Sequence, residues 1–321
     1  MVAGVKLSNV SLILVSLLII YLLTTTYAIG VVNAAVPITY EYEDDFDYSS
    51  DTQASEYWII FRGNNDPSQE VVWDPGNSRV MLTTTTWNAG GIYFKKLYLP
   101  KYSSWMIEYI GYIGGGDQAD GMAFAFYHAP VFPSYPFGEN IGVSDTPGYF
   151  IKIDTYQNSG EPTPPFMTLQ VNKTYYTAPY LIHTYGTGLY GIRNTYFFVR
   201  VLFKTTYSED YIVKGNLTVI VWYDADLNNK VPIGTPVINE TIPVIFNIKY
   251  GGYIGFTAGT GSKYDIHAIE WFHVVANTSI ASVGGELINN NIQPSMHLSL
   301  LVIAIVSLTT SIVIIYRKTR K

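Results

Sequence analysis

The chain contains no cysteine among its 321 residues. Disulfide staples, thiolate metal sites, Cys nucleophiles and sulfur-ligated haem or iron–sulfur clusters are therefore excluded. Charge is scarce as well: Asp, Glu, Lys and Arg make up 14% of the chain against 48% hydrophobic residues. That balance is greasier than in an ordinary soluble domain and points to membrane segments, a large buried sheet, or both. Sustained helical periodicity is also missing from the middle of the chain, which argues against a helical or alternating α/β architecture. Basic residues are few there too. All 25 acidic residues lie between Glu41 and Glu286, whereas Lys6, Arg317, Lys318, Arg320 and Lys321 sit at the ends, so the middle holds 14 basic against 25 acidic residues. A surface of that sign repels phosphate backbones, and a nucleic-acid partner is excluded on charge.

What is present begins at the ends. Lys6, the apolar run Leu12 to Leu23 and small residues through Ala28, Ala34 and Ala35 have the layout of a secretory signal over residues 1–34. Cleavage after Ala34 or after Ala28 fits, and an uncleaved anchor is the alternative. Leu298 to Tyr316 is uncharged, apolar and just long enough to span a bilayer as a helix, with the basic tail 317–321 directly behind it. Such a tail stays on the cytoplasmic side. The reading is a signal peptide (1–34), a β-sandwich (36–276), a stalk (277–297), a transmembrane helix (298–316) and a cytoplasmic tail, which places the sandwich outside the cell. Sequons at Asn172, Asn216, Asn239 and Asn277 are compatible with that exterior location.

Between the ends, eight short runs have strand composition: Trp105 to Tyr112, Met122 to Tyr127, Tyr149 to Asp154, Met167 to Asn172, Tyr196 to Phe203, Leu217 to Tyr223, Tyr253 to Thr257 and Ala268 to Val275. The 28 Tyr, 15 Phe and 6 Trp suit pleated, half-buried surfaces. Gly114 to Gly116, Pro162 to Pro165 and Gly259 to Gly261 punctuate the runs. The fold class expected is all-β, an antiparallel sandwich in one domain.

Two stretches carry candidate chemistry: Ala119-Asp120-Gly121-Met122-Ala123-Phe124, and Ile151 through Pro162. Side chains alternate along a strand, so Ile151 and Ile153 face a core while Lys152 and Asp154 face the other way. Where that strand becomes a loop, Asp154, Asn158 and Glu161 can converge with the Tyr156 carbonyl. The cluster is all oxygen, which suits Ca²⁺. A polar turn capped by Asp154 is the structural alternative. Asp224, Asp226 and Asn228 have the opening spacing of a calcium loop, but Asn229 replaces the turn glycine and Thr235 the closing Glu, which reads as a hairpin turn. His128, His183, His267 and His273 show no ligand spacing.

In these stretches the sequence resembles the L-type lectins, the legume-lectin-like family. Ala119 to Phe124 is similar to that family's Ala-Asp-Gly-Leu-Ala-Phe motif, and Ile153 to Pro162 to its Phe-Asp-Thr-x-x-Asn-x-x-Asp-Pro motif. Val171-Asn172, Leu217-Thr218-Val219 and Ile254 to Gly261 with Glu270-Trp271 follow in the family's order, covering residues from about 40 to 276. The resemblance implies a concanavalin-like jelly roll that binds carbohydrate without catalysis. It implies calcium ligation by Asp154, the Tyr156 carbonyl, Asn158 and Glu161, the last in place of the usual Asp. It also implies sugar contacts from Asp120, Asn158, Tyr156, Gly138 (or Glu139 beside it) and the loop containing Gly261, with a cis bond between Ala119 and Asp120. Glycans or glycoproteins are the implied partners.

The departures are informative. Where the legume proteins hold a transition metal through Glu and His, this chain has Lys152 and Phe166, so that second metal site is expected to be absent. Lys152 lies on the same face as Asp154, and its ammonium can stand in for the missing cation; across roughly 7 Å at an effective dielectric near 20 the attraction is only about 2 to 3 kcal/mol, enough to neutralise charge without ordering the loop as a metal does. Laminarinase-like glycoside hydrolases share the sandwich but need Glu-x-Asp-x-x-Glu, and this frame reads Lys152, Asp154, Gln157, so no enzyme is expected. A structural or adhesive envelope protein that keeps the sandwich and lacks sugar binding is the competing reading.

Overall fold

The computed structural model describes residues 39–63, 71–131, 133, 135–143, 146–172, 180–249 and 251–278. The signal segment, most of the stalk and the 298–316 run lie outside the described residues. Among the described residues no helix is long and apolar enough to cross a membrane. Helix there is confined to one turn at Asp51–Ala54 and short 3-10 turns.

Residues Val36–Ser279 form one compact unit of two packed antiparallel sheets. The back sheet runs in the order β15 (Ile238–Asn247), β12 (Ile212–Trp222), β11 (Tyr196–Glu209), β6 (Ser104–Gly114), β17 (Ile266–Asn277), β4 (Arg79–Thr83), β3 (Val72–Asp74), and β1 (Thr39–Asp44) also pairs with β17. The front sheet runs β10 (Tyr180–Gly186), β9 (Phe166–Asn172), β8 (Gly148–Asp154), β7 (Gly121–His128), β16 (Tyr253–Gly259), β5 (Ala89–Phe94), β2 (Trp58–Arg62). A small hairpin of β13 (Asp224–Asp226) and β14 (Val231–Ile233) pairs with neither sheet and packs through Ala225 and Leu227 on Phe198, Trp222 and Trp271 of the back sheet. All eight runs expected from composition are strands. The sheets contain further strands that the composition did not flag: β1 is broken by acidic residues, β2 and β3 are short, and β15 exposes side chains at alternate positions.

Alternation builds the core. Met122, Phe124 and Phe126 of β7, Ile151 and Ile153 of β8, and Ile254 and Phe256 of β16 point inward and meet Ile107 and Tyr109 of β6, Val199 and Val201 of β11, and Phe272 and Val274 of β17. The aromatic wealth is spent here: Phe124 packs on Phe126 at 5.7 Å and on Phe256 at 5.6 Å, and Tyr109 meets Phe256 edge-on at 5.0 Å. One buried carboxylate, Asp44, is satisfied by Tyr42 and Tyr48 hydroxyls, the Trp58 indole and the Phe46 N–H, which fixes β1 at the sandwich edge.

The opposite, outward side of the front sheet has its own small cluster. Tyr93, Ala123, Ala125 and Phe150 are covered there by Ile141 and Val143 from the loop after β7. That loop is held down by Thr257 Oγ1 donating to the Ile141 carbonyl at 2.8 Å. Lys152 and Asp154 share this outward side, so the alternation expected along β8 holds.

Candidate functional site

At one end of the front sheet four loops meet. β7 begins at Gly121, directly opposite Asp154, the last residue of β8. The approach is so close that a Cβ on Gly121 would stand 2.1 Å from the Ile153 carbonyl oxygen, which is why glycine follows Asp120. The Ala119–Asp120 bond is cis, as the resemblance implies. The Asp120 main chain is clamped from both neighbours: its N–H donates to the Gly259 carbonyl at 3.2 Å, and its carbonyl accepts from Thr155 N–H at 2.7 Å and Thr155 Oγ1 at 3.0 Å.

The Asp120 side chain is consequently held in a fixed direction. It is 5% exposed, and its Oδ2 accepts no hydrogen bond of good geometry. An added Cβ on Gly261 would lie 3.2 Å from that oxygen and 3.7 Å from Gly138 Cα, so the three residues are immediate neighbours. Gly138 N–H in turn donates to the Thr260 carbonyl at 3.2 Å, and its φ of +59° is one that glycine adopts freely. Burial pushes the Asp120 carboxyl up to about 6, and nearby Asp154 adds to that, while the Gly261 N–H and Lys152 pull it back.

The fourth loop supplies the oxygen cluster. Asp154 is fully buried. Its Oδ1 accepts from Tyr156 N–H at 3.0 Å, and its Oδ2 lies 2.8 Å from Lys152 Nζ. Burial drives the Asp154 carboxyl above its usual range; Lys152 opposes this and Glu161 reinforces it. Glu161 Oε2 accepts from Asn158 N–H at 3.1 Å, which closes the loop on itself, and the buried Asn158 Nδ2 has no acceptor. Asp154, Tyr156, Asn158 and Glu161 thus share one short loop beside Asp120.

The contact between Lys152 and Asp154 corrects the sequence expectation. The side chains do not stand about 7 Å apart: the flexible lysine stem curls along the sheet to an ion pair of 2.8 Å, with Lys152 only 5% exposed. The ammonium also donates to the Glu139 carbonyl at 2.9 Å. It therefore does more than neutralise charge, because it ties the end of β8 to the loop bearing Gly138. Phe166 is 2% exposed and pairs opposite Asp154 in β9, so it offers packing and no ligand at that position.

A hard cation fits the donors in charge and chemistry. Asp120 and Glu161 both act on the buried Asp154 carboxyl or are acted on by it, and Lys152 is the ammonium in contact with Asp154, so the donors are oxygen-rich and acidic. Among the described residues no three His, Cys, Asp or Glu side chains form a metal group by themselves. An ion at this point would draw on the Tyr156 carbonyl and the Asn158 amide beside Asp154 and Glu161.

Two rim residues were not singled out in the sequence. Trp87 is 51% exposed, and its main-chain N–H donates to the Gly261 carbonyl at 2.8 Å, which brings residue 87 to the rim beside the Gly261 loop. Its signal was a lone Trp inside the polar run Thr83 to Asn88. Lys263 of the last loop lies 5.7 Å over the Tyr156 ring and so links that loop to the oxygen cluster.

The lesser candidates resolve into structure. Asp226 accepts from the N–H groups of Asn228 and Asn229 and from Asn229 Nδ2, which caps the β13–β14 turn. Each of the four described histidines is engaged elsewhere: His128 with Thr146, His267 with Thr83, His183 with Glu240, and His273 with Glu108 and Glu41. Asn172 is 1% exposed, so this folded domain has no room for a glycan at that sequon.

No family model and no curated protein sequence matches the chain. Among solved structures it is similar to the Ca²⁺-bound exoplasmic/lumenal domain of VIP36, at 20% identity over 78% of this chain and 92% of that one, with a TM-score of 0.50. It is likewise similar to lectin UEA-II complexed with galactose, at 13% identity over 75% and 99% of the two chains and a TM-score of 0.52. Basic winged bean lectin with Tn-antigen gives 15% identity over 75% and 100%, with a TM-score of 0.50. At such identities the likeness speaks of architecture, and what it establishes is that this domain has the legume-lectin-like, L-type lectin fold.

Proposed function

We propose that this protein is a membrane-anchored, extracellular lectin-like module that binds carbohydrate non-catalytically at the loop cluster around Asp120 and Asn158. The observation that carries the proposal is the meeting of Asp120, Gly138 and Gly261 within a few ångströms, beside an oxygen-lined loop, at one end of the front sheet. The Asp120 carboxylate, pre-set by its clamped main chain, accepts from a pair of sugar hydroxyls. The unpartnered Asn158 amide offers a donor, and Trp87 and Tyr156 offer ring faces for sugar C–H groups. Glycans bound to VIP36 (Man2) and galactose bound to UEA-II support a saccharide as the ligand class.

Calcium belongs to this proposal. Asp154, the Tyr156 carbonyl, Asn158 and Glu161 would hold it, and bound there it supplies positive charge that orders the loop. Lys152 takes over the tie between loops that a second ion would make. Binding, and not hydrolysis, is favoured because Asp154 is engaged by Lys152, and Gln157, at the position a second acid would need, spends its amide on the carbonyls of Asn158, Glu161 and Pro162. The extracellular location rests on the signal-like run, the apolar 298–316 segment and the basic tail.

The test is glycan-array binding by the full-length chain in detergent, with calcium and with chelator. Calcium-dependent binding that falls at least a hundredfold in D120A and N158A is expected. Silence across broad glycans under both conditions would favour the envelope scaffold, a reading consistent with Lys152 holding the loops together without a ligand.

A further inference from the structure

The back sheet carries a second recess, remote in sequence from the Asp120 loops. It measures about 380 Å³ and opens between the turn joining β3 to β4 and the β13–β14 hairpin. That size falls in the lower part of the range for small-molecule sites, roughly 300–1,000 Å³. Its wall includes Asn77 and Ser78 from the first turn, Leu227, Asn228 and Lys230 from the second, and Glu270.

Glu270 is there because β17 bulges. The register with β6 passes from Ile269 opposite Gly111 to Trp271 opposite Ile110, which leaves Glu270 as the extra residue. A bulge re-aims a side chain without ending the strand. The result is a carboxyl only 3% exposed whose Oε1 has no hydrogen-bond partner. Arg79 Nη1 forms a long ion pair with it at 3.8 Å, without a hydrogen bond of good geometry. Buried carboxylate oxygens are seldom left so, since an unmet acceptor is costly. Burial raises the group to about 7, with Arg79 and Lys230 drawing it down and Asp74 pushing it up.

The other charges around the recess are already matched. Arg79 Nε pairs with Asp74 Oδ2 at 3.0 Å, and Lys230 Nζ with Asp45 Oδ1 at 2.8 Å. A cationic ligand would meet the Lys230 ammonium in the wall, and an anionic one the carboxyls of Glu270 and Asp45. A neutral, hydroxyl-rich ligand incurs neither penalty, and Leu227 offers an apolar contact for its C–H face. We propose that this recess binds a single neutral saccharide ring, with the Glu270 carboxyl accepting its hydroxyl hydrogen bonds and Asn228 and Ser78 adding contacts at the rim. The site is independent of the front loops and adds a second ligand position to the one proposed around Asp120.

The test uses ligand-observed NMR on the full-length chain in detergent, in chelator and in a D120A background that silences the front site. The probes are the methyl glycosides of mannose, galactose and N-acetylglucosamine, with glycerol as a hydroxylated control lacking a ring. The D120A protein should keep saturable, millimolar binding of at least one glycoside, and adding either E270Q or the exposed substitution N228W should weaken it at least fivefold. No glycoside signal in D120A, equal response to glycerol, or binding that survives either added substitution would overturn the proposal. The front site is scored separately, by wild type against D120A in calcium, so failure of one reading is distinguishable from failure of the other.

Discussion

Two buried acids in this domain have close cations and respond in opposite ways. On the back sheet, Glu108 faces Arg200 at 2.6 Å and His273 at 3.1 Å. Burial alone would raise it, but hydrogen bonds from His273 and Arg200 hold its carboxyl below the usual range. On the front, Asp154 faces Lys152 at a similar 2.8 Å, yet its carboxyl is driven up. The ion-pair distance does not account for this. Glu108 has two hydrogen-bonding partners, Arg200 and His273, whereas Asp154 is wholly buried, has one ammonium in contact, and shares its surroundings with Asp120 and Glu161. The back network joins one acid to two donors, whereas the front cluster gathers three acids around one close ammonium. Under the function proposed above, the front cluster is the one that takes up a cation, and the back bridge is structural.

The comparison can be broken first at Lys152. Removing one partner of a buried pair leaves an uncompensated charge, at about 3 to 5 kcal/mol. K152M should therefore lose stability on that scale in denaturant unfolding, and hydrogen exchange should rise across residues 137–143, because the tie to the Glu139 carbonyl goes with it. Unchanged exchange there would mean the lysine only fills space.

Glu270 gives the next largest effect. Its folded value of about 7 lies above the ordinary 4.5, so the folded state holds the proton more tightly. The stability this contributes is present below pH 4.5 and is lost as pH climbs to 7 and beyond, on the order of 3 kcal/mol. E270Q abolishes that loss. Unfolding curves of the variant and the parent, compared at pH 4.5 and pH 8, should diverge in favour of Gln at the higher pH; parallel pH profiles would refute the assignment.

Arg200 should matter less. The Arg200 side chain is one-third exposed, and Glu108 keeps His273, so R200M is expected to cost only about 1 kcal/mol by chemical denaturation. A cost equal to that of K152M would erase the distinction between the two regions. Smallest of all is Trp87. W87A removes a ring face at the rim without touching the core, and glycan affinity should fall roughly fivefold, about 1 kcal/mol, with the melting temperature unchanged.

Much of this was legible in the sequence, and for local reasons. Ile151 and Ile153 against Lys152 and Asp154 is a period-2 pattern that any two-sided strand must obey, and the Ala119 to Phe124 and Ile153 to Pro162 stretches carry their own turn chemistry. The contact made by Lys152 was not legible, because where a four-carbon stem ends depends on the Glu139 carbonyl, which a separate loop brings in. Trp87 was hidden for the same reason: its place at the rim comes from one main-chain hydrogen bond to Gly261, far along the chain. β1 was hidden because Tyr, Glu and Asp fill it where an apolar stripe would have announced it, and Asp44 is buried only through the donors that gather around it, whereas Trp58 to Phe61 of β2 is an apolar run that the sequence did carry.

The central claim is that the front cluster lacks one cation, and a calcium titration followed by thermal unfolding tests it directly. At a hundredfold excess over Kd, a ligand that binds only the folded state stabilises it by about 2.7 kcal/mol, so the wild type should melt higher in calcium and return to its starting point in chelator. D154N and E161Q should show no such rise. Identical melting of the wild type in calcium and in chelator would contradict the claim, because Lys152 would then already complete the charge balance of the front loops.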